Sequence, residues 1–157
     1  MQFFNTGYEA IFSGVLAAFI AQSIKVITYL WTHKKINFKI FTTTGGMPSS
    51  HTAGVIALST SVALLEGLDS ISFAISLGFS LIIMQDASGV RRAAGKTAAT
   101  LNRLVDEFIQ KNQEVKPYET LKELLGHTPL EVFCGMLLGI IVPLILHFHK
   151  EIIAFFG

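Results

Sequence analysis

Residues 10–31 read AIFSGVLAAFIAQSIKVITYLW, an apolar run of 22 residues with one charged side chain, Lys25. A helix of this length is long enough to cross a hydrocarbon core of about 30 Å. No basic segment precedes the run within Met1–Glu9, as a cleavable signal would require. The run is therefore expected to remain in the protein as a permanent membrane span.

The composition of the whole chain also indicates lipid as the solvent. Of 157 residues, 51% are hydrophobic and 15% are charged, whereas soluble domains carry about 25% charged residues. The mean hydropathy is +0.55. We predict a single membrane domain over residues 1–157 and, with a net charge of only +1, no nucleic-acid partner. The single cysteine, Cys134, excludes an intrachain disulfide and a cysteine-based zinc site.

Three further apolar runs follow the first one, at residues 50–65, 71–84 and 130–148. The turn Glu66–Asp69 separates the second and third runs, and Asp69 or Ser70 can cap the helix after it. A short apolar tail, Ile152–Phe156, ends the chain. The sequence thus predicts an all-α integral membrane protein with about four transmembrane helices.

The segment between the third and fourth runs, residues 86–126, is polar and rich in lysine and arginine. Within it, apolar residues recur every three or four positions from Ala93 to Ile109, which predicts an amphipathic helix at the membrane interface. An ordinary soluble helix packed on the loop is the alternative. Pro117 interrupts the pattern, and Thr120–Leu125 is expected to form a short helix that ends at Gly126.

The distribution of lysine and arginine predicts the orientation in the cell membrane. The loop His33–Gly46 and the segment 86–126 are basic, whereas the N-terminal tail and the Glu66–Asp69 turn have neither lysine nor arginine. Both basic loops should therefore face the cytoplasm, with both termini outside. In this multi-pass topology the start of span two, the end of span three and the start of span four share the cytoplasmic face.

The first polar motif stands at the start of span two and is called here the serine–histidine motif (Gly45–Thr52, GGMPSSHT). Gly45 and Gly46 allow tight turns, and Pro48 suits the first turn of a helix. The serine hydroxyls of Ser49 and Ser50, with free N–H groups, make a helix start of this kind an anion site. His51 in the first turn can donate a proton. A simple helix cap at the membrane boundary is the alternative.

The second motif ends span three and is called the arginine motif (Asp86–Arg92, DASGVRR). Arg91 and Arg92 at the end of a span are tolerated near water, where they either anchor the helix to anionic lipid or bind phosphate oxygens. Asp86 can hold one arginine in place, and Gly89 gives the chain room to turn.

The third motif starts span four and is called the histidine–glutamate motif (Gly126–Glu131, GHTPLE). Thr128 and Glu131 form the pattern of a capping box, with a proline at the first helical position, and Gly126 ends the preceding segment. Glu131 can equally orient His127, four residues earlier, as a nucleophilic histidine requires. The sequence leaves both explanations of Glu131 open. Lys25, in span one, either extends to the interface or points into the same region.

Three strings carry a resemblance to a known family: GGMPSSH from Gly45, DASGVRRAAG from Asp86 with Leu101-Asn102 after it, and LGHTPLEV from Leu125. Together they resemble the divergent branch of the type 2 phosphatidic acid phosphatase family, which is related to the vanadium haloperoxidases. The resemblance extends from about Ala21 to Gly139.

The chain departs from the pattern of the classical superfamily at several positions. Ser50 replaces the glycine of a Pro-Ser-Gly-His block, and Glu131 replaces an aspartate four residues after the histidine. Leu121 stands where an arginine is expected, so Arg91 and Arg92 are the replacement candidates. Lys25 is only a positional candidate for the lysine of the first block. The classical membrane enzymes usually have six spans.

The resemblance implies phosphoester or pyrophosphate hydrolysis without a metal or other cofactor. His127 would attack phosphorus, Glu131 would orient it, and His51 would protonate the leaving oxygen. The phosphate oxygens would be held by basic and hydroxyl side chains: Arg91, Arg92, Lys25, Ser49 and Ser50.

The partner implied by this chemistry is a membrane lipid phosphate of the phosphatidylglycerophosphate, phosphatidate or polyprenyl pyrophosphate class. A non-catalytic component for lipid-headgroup binding or transport, and a structural membrane subunit, are the competing hypotheses. Gly135 and Gly139 would permit close helix packing and a homo-oligomer.

Overall fold

The computed structural model of the chain describes residues 6–34, 46–111, 120–121 and 126–149. Within these ranges the secondary structure is helical, without strands. The elements in chain order are α1 (Gly7–His33), α2 (Ser50–Glu66), α3 (Ile71–Gln85), a π-helical turn (Asp86–Val90), α4 (Arg91–Lys111) and α5 (Pro129–His147). The prediction of an all-α membrane protein is thus confirmed in its class.

Three helical stretches are long and apolar enough to cross a membrane. They are Gly7–Thr32, Ile71–Ile109 and Pro129–His147. The outward faces of these stretches carry large apolar side chains such as Val15, Ile75 and Ile145, each more than half exposed, as expected of surfaces that contact lipid. The second predicted span corresponds to α2, which has 17 residues and a length of about 26 Å.

Capping residues determine where the helices begin. The Ser49 side chain accepts a hydrogen bond from the Thr52 N–H at the start of α2. Ser70, one of the two predicted caps, accepts from the Phe73 N–H at 3.1 Å before α3. Pro48 therefore precedes the cap of α2 and does not occupy its first turn as the sequence had suggested, because the Ser49 hydroxyl caps the helix one residue later.

Helix α2 lies at the centre of the bundle and packs against α1, α3 and α5. Small residues make this possible, and the buried core consists of Ala17, Ala21, Ala53, Ala57 and Val142. A Cβ on Gly135 would lie 2.5 Å from the Ser49 carbonyl oxygen, and one on Gly139 would lie 2.7 Å from the Ala53 carbonyl oxygen. Helix α5 therefore lies directly on the backbone of α2.

Hydrogen bonds between polar groups of different helices add to this packing. The Ser80 hydroxyl on α3 donates to the Val55 carbonyl of α2 at 3.0 Å. At the opposite end of the bundle from the predicted site, His147 of α5 and the buried Glu9 of α1 are 2.9 Å apart, from Nδ1 to Oε1. Polar contacts of this kind are favourable where no water competes for the groups.

The arginine motif departs from expectation, because the chain does not turn there. Gln85, Asp86 and Arg91 all keep right-handed helical backbone angles, so α3 continues through the π-helical turn into α4. Gly89 lies inside this turn and is helical. A π-helical turn absorbs one extra residue per turn without ending the helix, which is why no break appears. Helix α4 consequently begins at Arg91, two residues before the predicted start.

Other predictions fall wholly or partly outside the described ranges. Gly45, most of the loop His33–Gly46 and the tail Ile152–Phe156 lie outside them. Of the predicted short helix Thr120–Leu125, only residues 120 and 121 are described, and neither is helical.

The close contact of α5 with α2 predicts different effects for two glycines. In Gly135→Ala the new methyl group would overlap the Ser49 carbonyl, and overpacking of this kind costs about 1–3 kcal/mol. Gly78 of α3 is the matched control, because a Cβ there has nothing within 4 Å. Thermal unfolding in detergent should show a lower midpoint for Gly135→Ala and an unchanged or higher one for Gly78→Ala. Equal midpoints would contradict the close approach of the two helices.

Candidate functional site

The three polar motifs meet at a cavity of about 100 Å³. Its wall comes from the start of α2, the end of α3 with the π-helical turn, and the loop before α5. The lining residues are His51, Ile83, Asp86, Ala87, Arg91, Gly126 and His127. A space of this size holds several water molecules or one small anion. We call it the histidine cavity.

The starts of α2 and α5 are joined by a backbone hydrogen bond, in which the Ser49 N–H donates to the Glu131 carbonyl at 3.0 Å. The Ser49 side chain is fully buried, and its hydroxyl accepts from the hydroxyl of Thr52 at 3.1 Å. Ser49 and Ser50, both predicted phosphate ligands, do not line the cavity. The structure thus gives Ser49 a role in holding the two helix ends together.

Gly126 and His127, which precede α5, pack against the π-helical turn and the start of α4. Gly126 has a φ of +85°, and a Cβ there would lie 2.4 Å from the Arg92 nitrogen, so both the backbone angle and the space require glycine. The His127 N–H donates to the Ala87 carbonyl at 2.8 Å. These two contacts hold the backbone of His127 against the helical segment that carries Arg91.

His127 and Glu131 form the pair that the sequence suggested. The His127 Nδ1 is 3.0 Å from the Glu131 Oε2, and the same oxygen accepts the Thr128 N–H at 3.0 Å. The capping box and the histidine contact therefore coexist at one carboxylate oxygen. A carboxylate acceptor favours the tautomer with the proton on Nδ1, which leaves the Nε2 lone pair for attack on an electrophile.

The electrostatic surroundings of His127 favour its neutral form. Its side chain is 3% exposed, and this burial lowers the pKa of His127 below the usual histidine value. The hydrogen bond and the charge of Glu131 raise the pKa, whereas the positive charges of Lys25 and Arg91 lower it further. The net effect is an imidazole that is unprotonated, and so able to act as a nucleophile, at neutral pH.

The two arginines of the motif occupy different places. Arg91 lines the histidine cavity, and its Nε donates to the Asp86 carboxylate at 2.5 Å. The Arg92 side chain is not part of the wall, and its backbone packs under Gly126. Asp86 therefore orients the arginine that faces the two histidines.

Lys25 is buried and is not among the residues that line the cavity. Its side chain is 4% exposed, and its Nζ has no hydrogen-bond partner within the part of the chain that the structure describes. It interacts electrostatically with His51, His127 and Glu131. Gly46, with a φ of +91°, lies against its aliphatic stem.

Two groups at the cavity have no signal in the sequence: the Ile83 side chain in the wall and the Ala87 carbonyl, which accepts the His127 N–H. Ile83 resembles any other apolar residue of a span. The Ala87 contact is made by the backbone, which carries no side-chain signal. Across the described residues, no group of three or more His, Cys, Asp or Glu side chains is arranged to hold a metal ion.

The chain is similar to known proteins over most of its length. The model of the Divergent PAP2 family matches residues 7–142. A curated relative, the uncharacterized membrane protein YuiD of Bacillus subtilis, is 48% identical over 143 residues, which covers 85% of this chain and 90% of the relative. No solved structure gives a significant match.

The opposing influences on His127 predict opposite shifts of its pKa in two variants. Lys25→Met removes a positive charge and should raise the pKa, whereas Glu131→Gln removes a negative charge and should lower it. An NMR titration of ¹⁵N-histidine-labelled protein in detergent measures both. Shifts in the same direction in the two variants would contradict the arrangement of charges around His127.

Proposed function

The chain belongs to the Divergent PAP2 family, and we propose that it is a membrane phosphatase that hydrolyses a lipid phosphate through a phosphohistidine intermediate. The observation that carries the proposal is the His127–Glu131 hydrogen bond in a cavity that His51 and Arg91 also line. A nucleophile oriented by a carboxylate, beside a second acid–base group and a guanidinium, is the set of groups that this reaction requires.

The reaction proceeds in two steps. The Nε2 of His127 attacks phosphorus while the bond to the leaving oxygen breaks, and His51 gives that oxygen its proton. His51, now neutral, then takes a proton from a water molecule that attacks the phosphohistidine. This second step releases inorganic phosphate and restores His127, so the same residue serves first as acid and then as base.

The negative charge of the transferring phosphoryl group requires fixed cations. Arg91 faces the cavity and is oriented by Asp86, so its remaining N–H groups suit the equatorial oxygens. Lys25 supplies a buried positive charge close to both histidines. The side chains of Arg92, Ser49 and Ser50 do not line the cavity, so we assign them no direct contact with the phosphoryl group.

The proposed topology follows from the helices and from the basic loops. Helix α2 is the second of four spans, and its 17 residues lie at the centre of the bundle, packed against α1, α3 and α5. Helix α4 lies at the cytoplasmic interface, where its exposed Leu101, Leu104 and Phe108 contact lipid. The histidine cavity then opens at the cytoplasmic face, and substrates made in the inner leaflet, such as phosphatidylglycerophosphate or phosphatidate, reach it. Polyprenyl pyrophosphates have the same chemistry.

Hydrolysis can be tested directly with purified protein in detergent. The parent protein should release inorganic phosphate from one of these lipids in the presence of a chelator, and vanadate should inhibit it. His127→Asn should reduce turnover by about a thousandfold or more, because the nucleophile is lost. Full turnover in that variant would refute the nucleophile. Lipid binding with no release above the blank would instead support a non-catalytic role in headgroup binding or transport.

The two arginines provide a matched pair of variants. Arg91→Ala should lower kcat/KM about 10- to 100-fold, since charge-assisted hydrogen bonds contribute about 1.5–3 kcal/mol. Arg92→Ala should change it by no more than about threefold, because that side chain does not line the cavity. Equal losses in the two variants would contradict the proposed phosphate contact of Arg91.

A further inference from the structure

The buried Asn102 of α4 makes a contact that the proposed chemistry does not use. Its side chain is 5% exposed. The Nδ2 donates to the Leu121 carbonyl at 2.9 Å, and the Leu121 N–H donates to the Oδ1 at the same distance. The carboxamide thus satisfies both backbone groups of one residue, as a neighbouring strand would.

The contact is important because Leu121 lies close to His127 in the sequence. Leu121 precedes His127 by six residues, and an extended chain advances about 3.3–3.6 Å per residue. A restraint on Leu121 therefore limits the positions that Gly126 and His127 can reach. Downstream of Leu121, Gly126 rests on the Arg92 backbone and the His127 N–H bonds to Ala87.

Asn102 belongs to a buried face of α4. Gly95, Ala98 and Asn102 are buried and spaced so that they lie on one side of the helix. Apart from its continuity with α3, the main helix contact of α4 in the described part of the chain is with the π-helical turn. A polar residue in the middle of this buried face has to find partners, because an unsatisfied buried amide is costly. The backbone of Leu121 supplies one acceptor and one donor.

We infer that Asn102 is a positioning residue for His127: by binding both backbone groups of Leu121, it restrains the chain six residues before His127, so that His127 is buried against Ala87 and aligned with Glu131. The inference rests on the proposed function for its consequence in catalysis. Its consequence for the burial of His127 stands independently of any activity.

The test uses Asn102→Ala, the isosteric Asn102→Asp and the control Arg103→Ala in the full-length protein. Asp keeps the shape and the acceptor for the Leu121 N–H, but it cannot donate to the Leu121 carbonyl. Arg103 is the adjacent residue, and its exposed side chain pairs only with Glu107 among the contacts that the structure describes. Three quantities are measured in detergent: the pKa of His127 by NMR, kcat and KM for lipid phosphate hydrolysis, and the midpoint of thermal unfolding.

Both Asn102 variants should raise the pKa of His127 toward that of an exposed histidine, because burial is the largest cause that lowers it. They should lower kcat about 10- to 100-fold with a smaller change in KM, as a displaced catalytic group does. Arg103→Ala should match the parent in all three measurements.

Other results would overturn the inference. A lower unfolding midpoint with the His127 titration and kcat of the parent would make Asn102 a purely structural residue. A parent-like Asn102→Asp would show that the donated hydrogen bond is not needed. If the parent protein releases no phosphate, the proposed function fails, and the His127 titration alone still decides whether Asn102 positions the loop.

Discussion

The backbone contact between the starts of α2 and α5 is the constraint on which the rest of the site depends. Ser49 donates its N–H to the Glu131 carbonyl, and Gly135 allows the α5 backbone to approach the Ser49 carbonyl. With any larger residue at position 135 the two helices would stand farther apart. His51, two residues after Ser49, and His127, four before Glu131, then could not line one cavity. The separation of the two histidines is thus set by helix packing and only afterwards refined by side chains.

The parts of the fold that the sequence predicted correctly are those with a local cause. The capping box at Thr128 and Glu131 is a short-range pattern, and the structure forms it as expected. The first and fourth predicted spans correspond to α1 and α5, and the third lies within the helical stretch Ile71–Ile109, which is also long and apolar enough to cross a bilayer. Ser70, one of the two predicted caps, is the N-cap of α3.

The parts that the sequence did not predict depend on backbone geometry or on distant contacts. The π-helical turn at Asp86–Val90 accommodates an extra residue within a continuous helix, whereas Gly89 in the sequence indicated room for a turn. The sequence makes Ser49 a candidate for anion binding, but in the structure its hydroxyl accepts a hydrogen bond from the Thr52 hydroxyl. The distinction between Arg91 and Arg92 likewise needed the structure, because adjacent residues on a helix point about 100° apart and the sequence does not show which of them faces the cavity.

The balance of charge around the histidine cavity suits it to an anion such as the phosphate of the proposed substrate. Arg91 is paired with Asp86, and His127 with Glu131, so each of these side chains already has a hydrogen-bond partner. Lys25 differs from them, because its ammonium group is buried and has no hydrogen-bond partner within the described residues. Burial of a charge without a partner is costly, and Glu131, although electrostatically coupled to Lys25, is bonded to His127 and Thr128 through the same oxygen. A phosphoryl group that enters the cavity would bring negative charge close to Lys25. The folded protein already carries the desolvation cost of burying Lys25. The negative charge of the phosphoryl oxygens would offset this cost, most strongly where that charge is greatest.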